Sequence, residues 1–264
     1  MRKIKFIILL YPLIAALSMN AHARQDVKVG GYEFQPFVDI DRNMKARGLT
    51  LELIDLLNQH QKQYRFTFVP TTARRRYQDF EAQNFDMLFF ENPNWEWLQR
   101  GLPIEATHTF LEGGEVYITL KKSGRNQDFF TSFKNKNIAG MRGYHYGFAN
   151  FNADPEFLTN NFNMILLDNN ADSIKLILRD RIDLAVVTKM FLNRYLKDHP
   201  GAQGQLLVSK RFDQIYAHRI LVRRSFTPGA KYMEQLLIKL AGIPKLKNRS
   251  GPLTDLWKRW GVTE

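Results

Sequence analysis

Short apolar runs alternate with helical periods along the first part of the chain. The runs Val27 to Gly31, Arg65 to Val69 and Phe85 to Phe90 have the length and the polar borders of β-strands. Leu49 to His60 carries leucines at i, i+4, i+7 and i+8, which predicts a helix with one buried stripe. A second helix, capped by a threonine, is predicted from Thr72 to about Ala82. The order of these elements is β-α-β-α-β.

A second alternating series follows the pair Gly113-Gly114, whose missing side chains suit either a chain crossing between two lobes or an ordinary loop. Alternation of this kind predicts an α/β fold with largely parallel sheets. The sequence shows no internal repeat. The predicted strands are Glu115 to Leu120, Ile138 to Met141, Met164 to Leu167, Asp183 to Val187 and His218 to Arg223; the predicted helices run from a cap near Asn170 through Leu178, through Tyr232 to Leu240, and from Leu253 to Trp260.

The N-terminus has the layout of a secretory signal. Arg2, Lys3 and Lys5 precede an apolar run from Phe6 to Ser18, and Ala21-His22-Ala23 offers small residues at a cleavage position. We therefore expect residues 1–23 to be a signal peptide, with the mature chain beginning near Arg24 or Gln25 in the periplasm. An uncleaved anchor is the alternative, although the run is short for a membrane span.

The amino-acid composition excludes several kinds of functional site. The chain has no cysteine, which excludes disulfides, thiolate metal sites, a cysteine nucleophile and a lipid-attachment cysteine. Its six histidines show no spacing typical of zinc ligands, so neither a metal nor another cofactor is expected. The formal charge of +12 falls to about +9 without the three basic residues of the signal, and basic and acidic residues are interspersed. A solvated basic surface on a monomer is expected, with no nucleic-acid partner.

Eight local strings occur along the chain in a characteristic order: Val27-Lys28-Val29-Gly30, Gln35-Pro36-Phe37, Gly48 to Ile54, Phe80 to Asp86, Ile138 to Gly143, Asp168 to Ala171, Asp180 to Val187 and Leu253 to Gly261. In this order they resemble the family 3 extracellular solute-binding proteins, the polar amino-acid receptors of bacterial ABC uptake systems, over essentially all of residues 25–262. The resemblance implies the type II periplasmic-binding-protein fold: two α/β lobes, two crossover hinge strands and a ligand cleft between the lobes. The first lobe would comprise residues 25–112 and 217–264, and the second residues 113–216.

The function that this resemblance implies is capture of a small polar or zwitterionic ligand by hinge closure, such as an amino acid, an amine or an aromatic acid. Membrane permease subunits would then be the partners. A ligand-sensing receptor for a membrane signalling partner is an alternative. A third interpretation is a prephenate-dehydratase-like enzyme with Glu91 or His145 as the acid, although no catalytic motif is present and no catalysis is expected.

Loops after the carboxyl ends of the strands supply the candidate site, because ligands of open α/β sheets bind there. Packing within a lobe is the alternative role for each aromatic candidate. Which of Arg74, Arg75 and Arg76 faces the cleft is left open, with Arg76 preferred. The candidates from the first lobe are Tyr32, Phe37, Thr72, Arg76, Phe90, Glu91 and Trp95; those from the second lobe are Arg142, Gly143, Tyr144, Tyr146 and Thr188.

Arg142 is the strongest of these candidates, as a guanidinium beside a helix start with Gly143 next to it. Two positions depart from the amino-acid receptors. Phe90, Glu91 and Asn92 replace small hydroxyl residues before the position where the receptors carry an arginine, and Thr188 stands where they carry an aspartate for the ligand's ammonium group. Glu91 is therefore our hypothesis for the negative group of the site.

Overall fold

A computed structural model describes residues 23–41, 43, 45–242 and 251–262. The predicted signal segment therefore lies, up to residue 22, outside the described residues. None of the helices in the described ranges is both long and apolar enough to cross a membrane.

Strands and helices alternate through most of the described chain. The strands are β1 (Gln25–Gly31), β2 (Asp39–Ile40), β3 (Ala46–Arg47), β4 (Tyr64–Pro70), β5 (Met87–Glu91), β6 (Ile104–Ala106), β7 (Leu111–Leu120), β8 (Ile138–Met141), β9 (Met164–Leu167), β10 (Leu184–Thr188) and β11 (Leu206–Arg223). The helices are α1 (Leu49–His60), α2 (Arg76–Glu81), α3 (Pro155–Phe162), α4 (Asn170–Leu178), α5 (Lys189–Asp198), α6 (Pro200–Gln203), α7 (Ala230–Ala241) and α8 (Pro252–Trp260), with short 3₁₀ turns at Gln127–Phe130 and Gly147–Ala149.

Two sets of parallel strands are joined by two long antiparallel strands. In the first lobe β1 pairs in parallel with β4 and β5, and in the second lobe β8 pairs in parallel with β9 and β10. Strand β11 pairs with β7 from Leu206, opposite Leu120, to His218, opposite Leu111, and its last residues also pair with β5. Strand β7 in turn pairs with β10. Strands β7 and β11 are thus the crossovers between the lobes.

The first lobe is built around the leucine stripe of α1. Leu49, Leu53 and Leu57 are fully buried, as their spacing predicts, and α1 packs on β4. Gly48 precedes the helix with a φ of 122°, and a Cβ there would lie 2.6 Å from the carbonyl oxygen of Phe37. Only glycine accommodates this close turn, which also fixes the loop after β1 against the helix.

The core of the second lobe lies between its helices and strands. Ile174 and Ile177 of α4 pack with Val116 and Ile118 of β7. The side chain of Asn169 accepts a hydrogen bond from the Asp172 amide and caps α4. The cap therefore lies one residue before the start of the helix at Asn170, close to the predicted position.

Several element bounds differ from the sequence-based prediction. Helix α2 begins at Arg76 rather than Thr72, because residues 73–75 form a turn in which the Thr72 hydroxyl accepts from the Arg75 amide. The last strand begins at Leu206 rather than His218, because its pairing partner β7 lies far away in sequence. Six further elements, β2, β3, β6, α3, α5 and α6, were absent from the prediction.

Candidate functional site

A small enclosed cavity lies where the two lobes and the crossover strands meet. Its volume holds about one water molecule in this closed arrangement. The first lobe contributes loop and helix residues, the crossover strands contribute three side chains, and the loop after β8 contributes the rest. The lining residues are Tyr32, Phe34, Arg76, Trp95, Glu115, Gly143, Tyr144, His145, Gln214 and Tyr216.

Arg76 and Glu91 form a fully buried ion pair on the first-lobe side. Both side chains are 1% exposed, and the Arg76 Nε lies 3.5 Å from Glu91 Oε1. Glu91 also accepts a 2.8 Å hydrogen bond from the indole of Trp97 through Oε2. Burial raises the pKa of Glu91, and the guanidinium of Arg76 opposes that rise. The pair places a cation on the cavity wall with its counter-charge directly behind it.

Aromatic rings enclose the Arg76 guanidinium. Its Cζ lies 4.8 Å from the ring centroid of Tyr32 and 4.5 Å from that of Tyr77. Arg76 Nη1 also donates a hydrogen bond to the carbonyl oxygen of Ala73. Arg76 is therefore held in one position by stacking and by its own helix start, with cation–π attraction contributing to that placement.

Trp95 spans the cavity from the first lobe to the crossover strands. Its indole Nε1 donates a 3.2 Å hydrogen bond to Gln214 Oε1. The ring stacks on His145 with an interplanar angle of 10° and meets the Tyr216 ring edge-on at 5.2 Å. One tryptophan thereby contacts both the second lobe and the hinge.

The lobes also touch directly around the cavity. The Tyr144 hydroxyl donates a 3.0 Å hydrogen bond to the carbonyl of Glu33. His145 Nε2 lies 3.1 Å from Glu96 Oε1, and this contact holds the pKa of Glu96 down at about 2, whereas burial lowers the pKa of His145. His145 is therefore largely uncharged at neutral pH.

Glu115 forms the opposite wall, on β7. It is 1% exposed and accepts a 3.0 Å hydrogen bond from Gln214 Nε2. Burial raises its pKa to about 8, and the nearby carboxylate of Asp213 adds to the rise. Glu115 is therefore mostly protonated at pH 7 in this closed state.

An open groove continues from the cavity to solvent, sharing Gly143 and His145 with it. Arg74, Arg75 and Arg100 lie along this groove, together with Glu96, Thr72 and the start of α3. Arg75 pairs with Asp79, and Arg100 pairs with Glu96. The mouth of the cavity is therefore polar, and these acids offset part of the positive charge of its arginines.

Five of the residues expected from the sequence line the cavity: Tyr32, Arg76, Trp95, Gly143 and Tyr144. Of the three consecutive arginines, Arg76 is the one that faces inward, while Arg74 and Arg75 line the outer groove with Thr72. The structure therefore brings together six of the twelve candidates: the five that line the cavity, and Thr72 in the groove next to it.

The other candidates lie elsewhere. Phe37 and Phe90 contact each other at 4.5 Å within the first-lobe core and line neither the cavity nor the groove. The Tyr146 hydroxyl is bound to the backbone of Met141. Thr188 is buried at the end of β10 and pairs in register with Glu115. All four of these side chains are buried within the protein and do not reach the cavity.

Two expectations need correction. Arg142 points along the outside of the second lobe, where it pairs with Asp168 at 3.3 Å and donates to the carbonyl of Leu166. Its side chain is 45% exposed, so solvent and a surface acid satisfy it. Glu91 lies behind Arg76 and not on the cavity wall, because the guanidinium covers it.

Glu115, Gln214 and Tyr216 are the functional candidates that the sequence analysis missed. A charged residue in the predicted strand directly after Gly113-Gly114 was the available signal for Glu115. No comparable signal existed for the other two, because the predicted last strand began only at His218 and left them in a loop.

Comparisons with known proteins agree with this architecture. No protein-family model matches the sequence, and no curated protein matches it significantly. Similar solved structures include an ancestral arginine-binding protein bound to arginine, at 16% identity over 90% of this chain and 99% of that chain with a TM-score of 0.64. The putative binding component of an ABC transporter from Wolinella succinogenes DSM 1740, complexed with lysine, is 14% identical over 91% and 97% of the two chains with a TM-score of 0.65.

A histidine kinase sensor domain with similarity to periplasmic binding proteins is 16% identical, covering 92% of this chain and 99% of that chain, with a TM-score of 0.65. At these identities the similarity establishes the fold. The two-lobed α/β periplasmic-binding-protein fold expected from the sequence resemblance is thus confirmed.

Proposed function

We propose that this protein is a periplasmic solute-binding protein that captures a small polar or zwitterionic ligand by closing its two lobes, and that it delivers this ligand to an ABC transporter. The observation that carries the proposal is the cavity between the lobes, which is lined by side chains from both lobes and from the crossover strands. A solute held there, with the walls moved apart to make room for it, would contact both lobes and both crossover strands.

The lobe division that fits this proposal assigns residues 25–112 and 217–264 to the first lobe and residues 113–216 to the second. Closure about β7 and β11 brings Tyr144 against Glu33 and Trp95 against Gln214. A ligand that contacts both walls stabilises this closed state by its differential affinity for it. The closed shape is then what a permease partner would recognise, and no bond of the ligand needs to change.

The cavity supports a ligand with an apolar body and a polar or charged group. Aromatic rings form most of the wall, while Arg76, Glu115 and Gln214 supply charge and hydrogen bonds at opposite sides. A few convergent polar groups in a mainly aromatic pocket are typical of small-molecule sites. In the closed state the free space is small, so the lobes must open, or Trp95 must move, before a ligand enters.

A thermal-denaturation screen of the purified protein against amino acids, amines, aromatic acids and small peptides tests the proposal. A ligand at a hundred times its dissociation constant adds about 2.7 kcal/mol to the free energy of unfolding. For a chain of this size that raises the melting temperature by roughly 5 to 10 °C.

The variant Trp95→Ala is expected to abolish the stabilisation, whereas Trp257→Ala, on α8 outside the cavity, is the matched control. If no solute in any class stabilises the protein, or if stabilisation survives Trp95→Ala, capture between the lobes is rejected. Chromatography of the incubated ligand should recover it unchanged, and a new product would favour an enzyme.

A sensing role is the second candidate, because the same fold serves as a histidine kinase sensor domain. Ligand binding alone does not separate the two roles. Pull-down from membranes with the ligand-bound protein does so: recovery of permease subunits supports transport, and recovery of a sensor kinase supports signalling.

A further inference from the structure

Glu115 is an acid without a cationic partner inside a site that closes. It is 1% exposed on β7, and its hydrogen bond to Gln214 Nε2 is with a neutral amide. No lysine, arginine or histidine forms an ion pair with it among the described residues. A buried carboxylate without such a partner is costly, so Glu115 holds a proton in the ligand-free site, and a bound cation could take the place of that proton.

The surroundings of Glu115 contain acids and phenols, and no base acts on it. Asp213 and Tyr216 on β11 and Tyr117 on β7 interact with it electrostatically. Tyr144 and Tyr146, in the loop after β8, do so as well. Thr188 faces it in register from β10 and carries no charge. Among the described residues, none of the groups that shift the pKa of Glu115 is a cation.

The guanidinium of Arg76 on the cavity wall is already compensated. Its counter-charge is Glu91, and two tyrosine rings cover it. The buried pair is neutral as a unit, so it neither needs a ligand anion nor neutralises Glu115. Among the described residues that line the cavity, Glu115 is the acid left for the ligand.

The walls around Glu115 suit a cation with an apolar body. Tyr32, Phe34, Trp95, Tyr144 and Tyr216 present aromatic rings to the cavity. Ring faces attract ammonium groups, and this attraction strengthens when water is excluded. Gln214 is held between Trp95 and Glu115, which fixes the orientation of the carboxyl group.

From this arrangement we propose that Glu115 binds the ammonium group of the captured solute, which is therefore a small amine with an apolar or aromatic body. This inference rests on the proposed function and specifies its ligand. It assigns to a crossover strand the recognition that the sequence suggested for Glu91.

Binding of an ammonium group to Glu115 is coupled to loss of a proton. The pKa of Glu115 is about 8 in the closed protein, so the carboxyl group is mostly protonated at pH 7. An adjacent ammonium group stabilises the carboxylate, and the proton leaves to solvent. The affinity for the amine should therefore rise about tenfold per pH unit from pH 6 to 7 and level off above pH 8.

Three isosteric probes test the class of ligand: phenethylammonium, 2-phenylethanol and phenylacetate. Titration calorimetry at pH 7 in phosphate and in Tris measures affinity and, from the difference in heat, the number of protons released. We expect phenethylammonium to bind with release of close to one proton, and the neutral and anionic probes to bind at least tenfold more weakly.

Glu115→Gln should lower the affinity for phenethylammonium at least tenfold and abolish proton release. Glu112→Gln, at an exposed position on the same strand, is the matched control and should change neither. Because Glu115 is mostly protonated in the closed protein, the glutamine variant should fold, which its melting curve checks. If it does not fold, proton release by the unaltered protein still decides the matter.

Tighter binding of phenylacetate or 2-phenylethanol, binding of the amine without proton release, or binding unaffected by Glu115→Gln would each overturn the proposal. Failure of the amine to bind would overturn it as well. In each of those cases a solute of another class that stabilises the closed protein leaves the receptor function standing, so the two failures are distinguishable.

Discussion

The phenol of Tyr144 donates a 3.0 Å hydrogen bond to the backbone carbonyl of Glu33, joining the loop after β8 to the loop after β1. Tyr144 also lines the cavity, and its ring meets that of Phe34 edge-on at 5.5 Å. This residue therefore links closure of the lobes to the wall that a ligand would touch.

Tyr144→Phe should favour the open state, because it removes this bond between the lobes and leaves the ring. A hydrogen bond of this kind contributes about 0.5 to 1.5 kcal/mol, so the affinity for a captured ligand should fall roughly 2- to 12-fold. Titration calorimetry measures this affinity. Tyr232→Phe, on α7 away from the cavity, is the control, and an equal loss there would exclude the Tyr144 contact as the cause.

Gly143→Ala should impair closure by steric contact. Gly143 has a φ of +78°, and a Cβ there would lie 2.9 Å from Arg74 Cγ and 3.1 Å from Ala73 Cβ, both in the first lobe. Gly124→Ala is matched in backbone, with a φ of +71°, but meets nothing within 4 Å. Both substitutions should cost about 1 kcal/mol of stability in denaturant unfolding, since alanine is strained at positive φ.

Only Gly143→Ala should also weaken ligand binding and enlarge the molecule in small-angle scattering. Equal ligand affinities for the two alanine variants would show that the lobes do not close against Gly143.

Glu91→Gln should destabilise the protein strongly, because it leaves the buried guanidinium of Arg76 without its counter-charge. Breaking a buried pair by removing one partner typically costs about 3 to 5 kcal/mol. The side-chain oxygen of the glutamine can still accept the hydrogen bond from the Trp97 indole. The loss of stability would therefore measure the effect of the missing charge. Adding Arg76→Met to Glu91→Gln should recover much of the stability in urea unfolding.

The exposed pair of Arg65 and Asp26 provides the comparison for that experiment. Asp26→Asn removes a 2.6 Å ion pair at the surface and should leave the unfolding midpoint unchanged. A loss from Glu91→Gln no larger than from Asp26→Asn would contradict the buried pairing.

Glu115 should lower the stability of the ligand-free protein as the pH rises from about 4.5 to about 8, whereas His218, whose pKa burial lowers to about 3, acts in the opposite direction below about pH 6.5. The folded pKa of Glu115, about 8, lies above the ordinary value of 4.5, so in this window the unfolded chain has released a proton that the folded chain still holds. The contribution of Glu115 to the free energy of unfolding then falls with pH, by up to a few kcal/mol in total. Urea unfolding at pH 5 and pH 8 measures the difference.

Glu115→Gln should remove the Glu115 contribution, so the free energy of unfolding of the variant should fall less between pH 5 and pH 8 than that of the unaltered protein. Glu112→Gln should retain the full dependence. A glutamine variant at position 115 with an unchanged pH slope would rule out the raised pKa of Glu115.

The sequence by itself determined the order of elements and most of the core. Leu49, Leu53 and Leu57 are buried because the spacing of apolar residues in a helix fixes a single face, whatever the helix packs against. Ile138–Met141 and Met164–Leu167 have the bounds that their apolar runs predict, and the first of these strands is buried along its whole length. These are local properties, and local pattern is sufficient for them.

Only the tertiary structure decided which polar residues form the site. Arg76, Arg74 and Arg75 are consecutive in sequence, and the start of α2 at Arg76 turns one of them inward. The sequence favours Arg142 as the strongest ligand contact, but in the folded chain Asp168 pairs with it on the outside of the second lobe. Glu115 and Gln214 are 99 residues apart and meet because β7 pairs with β11. Burial, charge pairing and pKa depend on such long-range neighbours, which no local pattern in the chain specifies.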